Sequence, residues 1–164
     1  MTDQTSWRGT LSLSDSTSLT VEPFGGADLD RIYDIECRAH SVPWKRTHFL
    51  DSLKAGHHHC MGVRQGERWI GYAIVSCIAG EAELLLLVVD RRWQGRGIAR
   101  QLLTHLLKCL QGRADTLFLE VRAGNHRAIG LYEDLEFNQV GTRPGYYQTA
   151  AGAEDAIIFA YSLD

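Results

Sequence analysis

WQGRGIARQLL, Trp93–Leu103, sets two glycines one residue apart directly before an apolar-periodic stretch. The run LLLLVV (Leu84–Val89) that precedes it suits a strand. Downstream, Ile98, Leu102, Leu106 and Leu110 recur every four residues with Leu103 and Leu107 beside them, which predicts a helix over Ile98–Leu110. A glycine-rich turn from a strand into a helix N-terminus is where free backbone N–H groups and the helix dipole receive an anion. Three spellings of such a loop compete. The Walker form fails, because no G-K-[ST] is present. The dinucleotide form G-x-G-x-x-G matches at Gly95 and Gly97 and then meets Arg100, a bulky residue where close helix–strand packing is needed. Glu120 lies near the distance expected of a ribose-binding acid, but the upstream segments predict antiparallel strands rather than a parallel crossover. The third frame starts at Gln94 and reads Gln94, Gly95, Arg96, Gly97, Ile98, Ala99, or Q-x-x-G-x-A. Small residues at Gly97 and Ala99 let main chain approach a pyrophosphate. The N–H groups from Gly95 to Arg100 would donate, with Arg96 and Arg100 adding charge. Each such term is worth only about 0.3–1 kcal/mol, so many must act together. A plain tight turn shares this spelling, and the loop alone does not decide.

The surrounding elements supply context. Leu19–Glu22 reads as a short strand. Asp28–His40 and Thr47–Ala55 read as amphipathic helices, broken by Pro43 and stopped by Gly56. The period then changes to two: His58–Arg64, Arg68–Ile78 and Ala82–Val89 are strand-like, joined by turns too short for anything but an antiparallel meander. After the glycine-rich helix, which Gly112 ends, Thr116–Arg122 alternates as a strand. Asn125–Leu135 is a short helix capped by Asn125, and Phe137–Thr142 and Ala156–Ser162 read as closing strands. The expectation is one α/β domain over residues 19–164, preceded by a flexible Ser/Thr-rich tail, residues 1–18, with Trp7 as a docking point.

Bulk properties exclude several classes. The net charge of -3 gives no sign of direct nucleic-acid binding. The four cysteines, Cys37, Cys60, Cys77 and Cys109, form no C-x-x-C pair. Cys77 and Cys109 read as buried thiols. The N-terminus lacks the basic start and apolar run of a secretory signal, and no apolar run approaches membrane-spanning length. A cytoplasmic location without membrane attachment is expected. Oligomeric state is not legible. His57-His58-His59-Cys60 invites a metal reading, but consecutive strand residues face opposite ways, and no metal is expected.

The Q-x-x-G-x-A frame resembles the acyl-CoA pyrophosphate loop, [QR]-x-x-G-x-[GA], of the GCN5-related N-acetyltransferases (GNAT). The order of elements read above matches that fold: a mixed, mostly antiparallel sheet with helices on both faces. The stretch LEVRAGNHRAIGLYEDLEF, Leu119–Phe137, closely resembles the branch that acetylates N-terminal alanine of ribosomal proteins, the RimI type. Ile35–Trp44 (IECRAHSVPW) and Gly145–Ala160 (GYYQTAAGAEDAIIFA) resemble it too, so the likeness runs from about Leu29 to Ala160. The resemblance implies acetyl-CoA as cosubstrate and a small-subunit ribosomal protein N-terminus as acceptor. It implies Glu120 as general base, Tyr132 as general acid and Asn125 as an acyl-CoA contact. Main-chain groups of Leu87, Val88 and Val89 would face the pantetheine arm and the thioester. Two positions depart from the family pattern. Glu136 replaces the glycine of L-G-F, a change expected to alter the helix cap but not the chemistry. Gln148 replaces a proline after the Tyr-Tyr pair, near the expected peptide site. Taken alone, Glu120 also fits a solvated strand residue and Tyr132 a core tyrosine. Acetylation of a lysine, another N-terminus or a small amine, and a non-catalytic acyl-CoA-binding module, stay open at this stage. A ping-pong route lacks an activated cysteine.

Overall fold

Between Trp69 and Val75 a strand is buried without interruption, and its side chains divide between its two faces, alternating except at a bulge at Ile70. Ile70, Ala73 and Val75 enter one apolar cluster; Trp69, Tyr72 and Ile74 enter another. A strand apolar on both faces belongs at the centre of a sheet covered on both sides, and the computed structural model, which describes residues 3–164, places it there. The strands are β1 (Gly9–Ser12), β2 (Ser18–Pro23), β3 (His58–Gln65), β4 (Arg68–Ile78), β5 (Glu81–Val89), β6 (Thr116–Arg122), β7 (Asn138–Thr149) and β8 (Gly152–Ser162). The helices are α1 (Leu29–Ala39), α2 (Arg46–Lys54), α3 (Ile98–Leu110) and α4 (His126–Asp134). The sheet order is β1-β2-β3-β4-β5-β6-β8-β7. Every described pairing is antiparallel except β5 with β6. Parallel neighbours need a crossover, and α3 supplies it. The apolar stripe of α3 and residues of α4 cover one face; Ile32 and Ile35 of α1 and Phe49 of α2 cover the other.

The expected α/β architecture with its meander is therefore present. The two closing strands begin or end further out than their apolar cores suggest, because β7 and β8 form a long hairpin with polar, exposed outer halves. The N-terminal expectation needs correction. The segment read as a flexible tail instead carries a short turn and β1, which pairs with β2 at the sheet edge. Trp7 is fully buried, stacked on His59 with ring centres 4.2 Å apart. Gln101 of α3 both donates to Ser12 O and accepts from Ser12 N–H. A four-residue edge strand of small polar residues has too little alternation to register as a strand. Cys77 and Cys109 are half-buried rather than buried; each thiol reaches a backbone carbonyl, of Arg113 and Ser6 respectively.

The end of α4 holds the family departure. Phe137 N–H donates to Tyr132 O at 3.0 Å and Glu136 N–H to Glu133 O at 2.9 Å, the paired bonds of a Schellman cap. That cap needs a left-handed residue, and Glu136 occupies it with φ 68°. Left-handed backbone costs a non-glycine residue about 1–2 kcal/mol, partly offset by glycine's greater unfolded-state freedom. Glu136→Gly is expected to raise unfolding free energy by about 0.5–1 kcal/mol, read from urea denaturation at unchanged m-value. An unchanged or lower midpoint would contradict the strain.

Candidate active site

Strands β5 and β6 stay together for only a short distance. Their parallel pairing covers Glu81–Leu84 against Thr116–Leu119 and stops there. On its other side β5 keeps pairing with β4 up to Val89, but with a register shift between Ile74 and Val75 that leaves Leu85 extra. A bulge of this kind bends its strand and sharpens the local twist. Past Leu84 and Leu119 the two strands part, and a wedge-shaped cleft opens between them. Asp90 N–H donates to Ile70 O. By antiparallel alternation Val88 and Leu86 then turn their backbone groups to β4, while Leu87 and Val89 turn theirs toward the cleft. This corrects the expectation for Val88, whose main chain belongs to the sheet and whose side chain packs in the α1–α2 core.

The glycine-rich loop closes the wide end of the cleft. Gly95 and Gly97 both lie at φ 78°, a conformation that favours glycine. Gly97 is the residue preceding α3, and the first bond of that helix runs from Gln101 N–H to Gly97 O. The N–H groups of Ile98, Ala99 and Arg100 are thus the unsatisfied donors of a helix start. A side chain on Gly97 would point into open space, where an anion would approach. Gln94 spends its side chain within the loop, donating Nε2 to Val89 O at 3.0 Å. The arginines are less uniform than their sequence suggests. Arg96 lies over the Trp93 ring, 4.7 Å from its centre, and Arg100 pairs with Asp134 at 2.8 Å. A third, Arg127 of α4, donates to Gln94 Oε1 at 3.3 Å and brings a further cation to the loop. Sequence reasoning missed it, because nothing local ties a residue of α4 to a loop more than thirty positions away.

Two buried carboxylates brace the cleft's α1 wall, and neither was singled out from sequence. Asp90, 2% exposed, accepts from Arg92 of the loop and Arg38 of α1, each at 2.9 Å. Burial alone would raise its pKa, but the Arg92 side-chain and backbone bonds and the Arg38 bond outweigh it and hold the group at about 2. Glu36, 1% exposed, accepts from the Tyr72 hydroxyl and from Trp44 N–H at 3.2 Å, and pairs with His40 Nδ1 at 2.6 Å. Burial raises its pKa as well, and bonds from His40 and Tyr72 overcome it.

The two residues expected to do chemistry lie on opposite faces of the sheet around β6. In β6, Leu117, Leu119 and Val121 bury into the α3–α4 core, so Glu120 faces the other side, where it is half-buried. It is the first residue of β6 beyond the last pair with β5. Arg143 of β7 donates Nε to its Oε1 at 2.7 Å. Tyr132 belongs to the opposite core and is 8% exposed. Its ring packs 5.6 Å from Phe137 and 6.0 Å from Phe159, centre to centre. The Schellman cap therefore does reach the candidate chemistry: Tyr132 and Phe137 are the two residues it clamps. Burial, with Tyr147 second, pushes the Tyr132 hydroxyl up to about 12. Asn125 uses its side-chain oxygen to cap α4 through Ala128 N–H at 3.2 Å, so its amide is the part left for a ligand. Gln148 is exposed in the outer half of β7. His59 is taken up by Trp7, and no group of three metal-binding side chains gathers among the described residues. Among the described residues no helix is long and apolar enough to cross a membrane.

A bulged strand forking from a parallel neighbour, with a glycine-rich anion loop at the wide end, describes an acyl-CoA transferase site, and the chain belongs to the acetyltransferase (GNAT) family, whose model matches residues 29–137. Among its relatives is a [ribosomal protein bS18]-alanine N-acetyltransferase of Salmonella typhimurium, 40% identical over 145 residues, which spans 88% of this chain and 97% of that protein. The crystal structure of the ribosomal-protein-S18-alanine N-acetyltransferase from Escherichia coli superposes with a TM-score of 0.85 at 38% identity, over 89% of this chain and 94% of that one. Arabidopsis thaliana NAA60 in complex with acetyl-CoA shares the fold with a TM-score of 0.79 at 21% identity, over 88% and 98% of the two chains.

Two outcomes follow. Gly97→Ala, which meets left-handed strain of about 1–2 kcal/mol and crowds the anion's approach, is expected to weaken acetyl-CoA binding about tenfold in calorimetry with the fold retained. For Asp90 the folded pKa lies below the ordinary 3.8. Its stabilisation is therefore complete above that value and is lost as pH falls toward about 2. The shift corresponds to roughly 2 kcal/mol. Asp90→Asn should lower stability at pH 7 and flatten its decline between about pH 4 and pH 2. An acid limb identical to wild type would refute the assignment.

Proposed function

We propose that this chain transfers the acetyl group of acetyl-CoA to the α-amino group of N-terminal alanine in a small-subunit ribosomal protein, bS18, by direct attack within one ternary complex. The observation that supports the reading is the position of Glu120, the first residue of β6 past its last pair with β5, with Tyr132 packed on the other face against Phe159, the β8 partner of Leu119. Similarity to the bS18-alanine acetyltransferases along most of the chain supports the choice of acceptor. The reaction as proposed takes place in the cytoplasm and gives no role to a metal, a nucleic acid or a membrane.

The pyrophosphate of acetyl-CoA would lie on the N–H groups from Gly95 to Arg100, with Arg127 alongside. The pantetheine arm would then run down the cleft against the backbone groups of Leu87 and Val89, and against the Asn125 amide. That places the thioester near the fork. Glu120 accepts a proton from the incoming ammonium, directly or through water. The freed nitrogen forms its bond to the thioester carbon, and a cleft-facing N–H of β5 stabilises the oxyanion. Collapse breaks the carbon–sulfur bond, and the second proton leaves the nitrogen through water for the thiolate, giving the amide and CoA thiol. Tyr132, protonated throughout the neutral range, donates its hydroxyl proton toward the departing thiolate. Its raised pKa makes it a poor acid for full transfer to a thiolate near the ordinary 8.5, so its contribution is a hydrogen bond that strengthens as sulfur gains charge. An α-amino group, near pKa 8, is easier to deprotonate than lysine, near 10.4, by roughly 3 kcal/mol. An unassisted carboxylate is accordingly better matched to an N-terminus.

Glu120→Gln and Tyr132→Phe are each expected to lower kcat by about 10²–10⁴-fold, with acetyl-CoA affinity largely kept. Mass spectrometry of a panel of alanine-starting peptides with free and blocked N-termini should find acetyl only on the free ones. Acetylation of internal lysines in the blocked set would redirect the substrate assignment, and CoA binding with no acetylation of any peptide would mark a binding module instead.

A further inference from the structure

Glu120 is not the only carboxylate on its side of the fork. Glu83 of β5 stands opposite Phe118 in the parallel pairing, and Glu120 follows Phe118 by two residues. Both acids therefore project from the same face of neighbouring strands. From the other direction Arg143 reaches across β8 to make its 2.7 Å bond with Glu120. The arginine starts an irregular stretch of β7, where register with β8 is lost between Arg143 and Tyr147. Gly145, at φ 61°, turns that stretch, and its N–H is held by Asp155 Oδ1 at 2.8 Å. Tyr146 is thrown outward, with the Arg143 guanidinium 5.4 Å from its ring centre. The charged and titratable groups on this side of the fork among the described residues are Glu83 from β5, Arg122 two residues further along β6, and Arg143 and Tyr147 from β7. Of the two cations Arg143 is the one that bonds Glu120 and draws on Glu83.

We propose that Arg143 is the positioning residue that holds Glu120 aimed at the fork beside Glu83, and that the two carboxylates together receive the acceptor's ammonium. The inference rests on Glu120 being the base. Like charges on neighbouring strands oppose each other's ionisation. The Glu83 carboxyl shows this: burial pushes its pKa up, Glu120 pushes it further, and Arg143 draws it back. With Arg143 removed, Glu120 loses the bond that fixes its carboxylate, and the two like charges face each other without the cation they share. With Arg143 present the three side chains carry two negative charges and one positive, a net of −1, which one incoming ammonium neutralises. An acceptor entering as a cation is drawn to the atom that will deprotonate it.

The test is a pH titration of the glutamate side-chain carboxyls by carbon-13 NMR, with Glu83→Gln and Glu120→Gln spectra giving the assignments. Arg143→Ala is expected to raise the Glu83 midpoint, since the charge that draws it down is withdrawn. It should move the acid limb of kcat in the same direction and lower kcat. Adding Glu83→Gln to Arg143→Ala should return the acid limb toward wild type. Arg143→Lys, which keeps charge but not the planar guanidinium geometry, should keep the Glu83 midpoint and lose part of kcat. A Glu83 midpoint unmoved in Arg143→Ala, or an acid limb unmoved by the added Glu83→Gln, overturns the proposal. Wild-type turnover by Glu120→Gln would instead remove the base assignment itself, and the inference with it.

Discussion

The parting of β5 and β6 is the constraint on which the rest of the molecule depends. Parallel strands inside a sheet normally run together until both end, because backbone N–H and C=O groups left unpaired in a protein interior are costly. Here pairing ends at Leu84 and Leu119 while both strands continue. The extra residue at Leu85 turns β5 away, and β6 stays with β8 up to Arg122. The backbone groups of Leu87 and the N–H of Val89 are thereby left facing a gap, Val89 O being taken by Gln94 Nε2. Such a gap is sustainable only if water or an amide-bearing ligand occupies it. A pantetheine arm, extended and carrying amides along its length, meets that requirement in the manner of a missing strand.

Each wall of the gap is then fixed by a local device of its own. At the end of β5 the buried Asp90 ties the turn to α1 through Arg38 and to the loop through Arg92. Gly95 and Gly97 take left-handed conformations that present the first N–H groups of α3 outward. On the β6 side, Asn125 caps the start of α4 and the Schellman bonds cap its end. The second cap is also what seats Tyr132, because its hydrophobic clasp is the Tyr132–Phe137 contact. A nine-residue helix cannot place a side chain reliably by its own stability; two caps and an aromatic clasp do so. The glutamate at position 136 accepts backbone strain at a point that supports chemistry.

Much of this was legible in sequence, for identifiable reasons. The α3 stripe and the alternation of β6 are strong periodic signals, and short turns forced the meander. Glu120 was assignable to the face away from Leu117, Leu119 and Val121 because strand parity alone decides it. What escaped were features set by register between distant strands. The fork depends on where pairing stops, which no single segment encodes. The turning of Val88 toward β4 rather than the cleft follows from a hydrogen bond between Asp90 and Ile70. Arg127 and Arg143 reach the site from α4 and β7 as long side chains whose targets lie elsewhere in the chain. The strand β1 was hidden for a different reason: Gly9–Ser12 has one buried apolar residue, and its stability comes from β2, Trp7 and Gln101 around it.

The buried carboxylates show how the fold distinguishes stability from geometry. Removing a carboxylate from water is expensive, and a well-packed apolar replacement is often as stable or more so. Glu36 and Asp90 are nonetheless enclosed, each with several donors, and both grip α1: one from within the helix and one through Arg38. Glu36 also holds Trp44 N–H, fixing where the chain emerges between α1 and α2. Apolar contacts would have buried the same helix, but they tolerate sliding by a fraction of a turn. Directed bonds to a carboxylate do not. The α1 wall, the anion loop and the fork are thereby held in one mutual arrangement before any substrate arrives. A direct transfer needs that, since amine nitrogen, thioester carbon and leaving sulfur must be aligned within one complex and loosely held walls would lose the advantage of proximity.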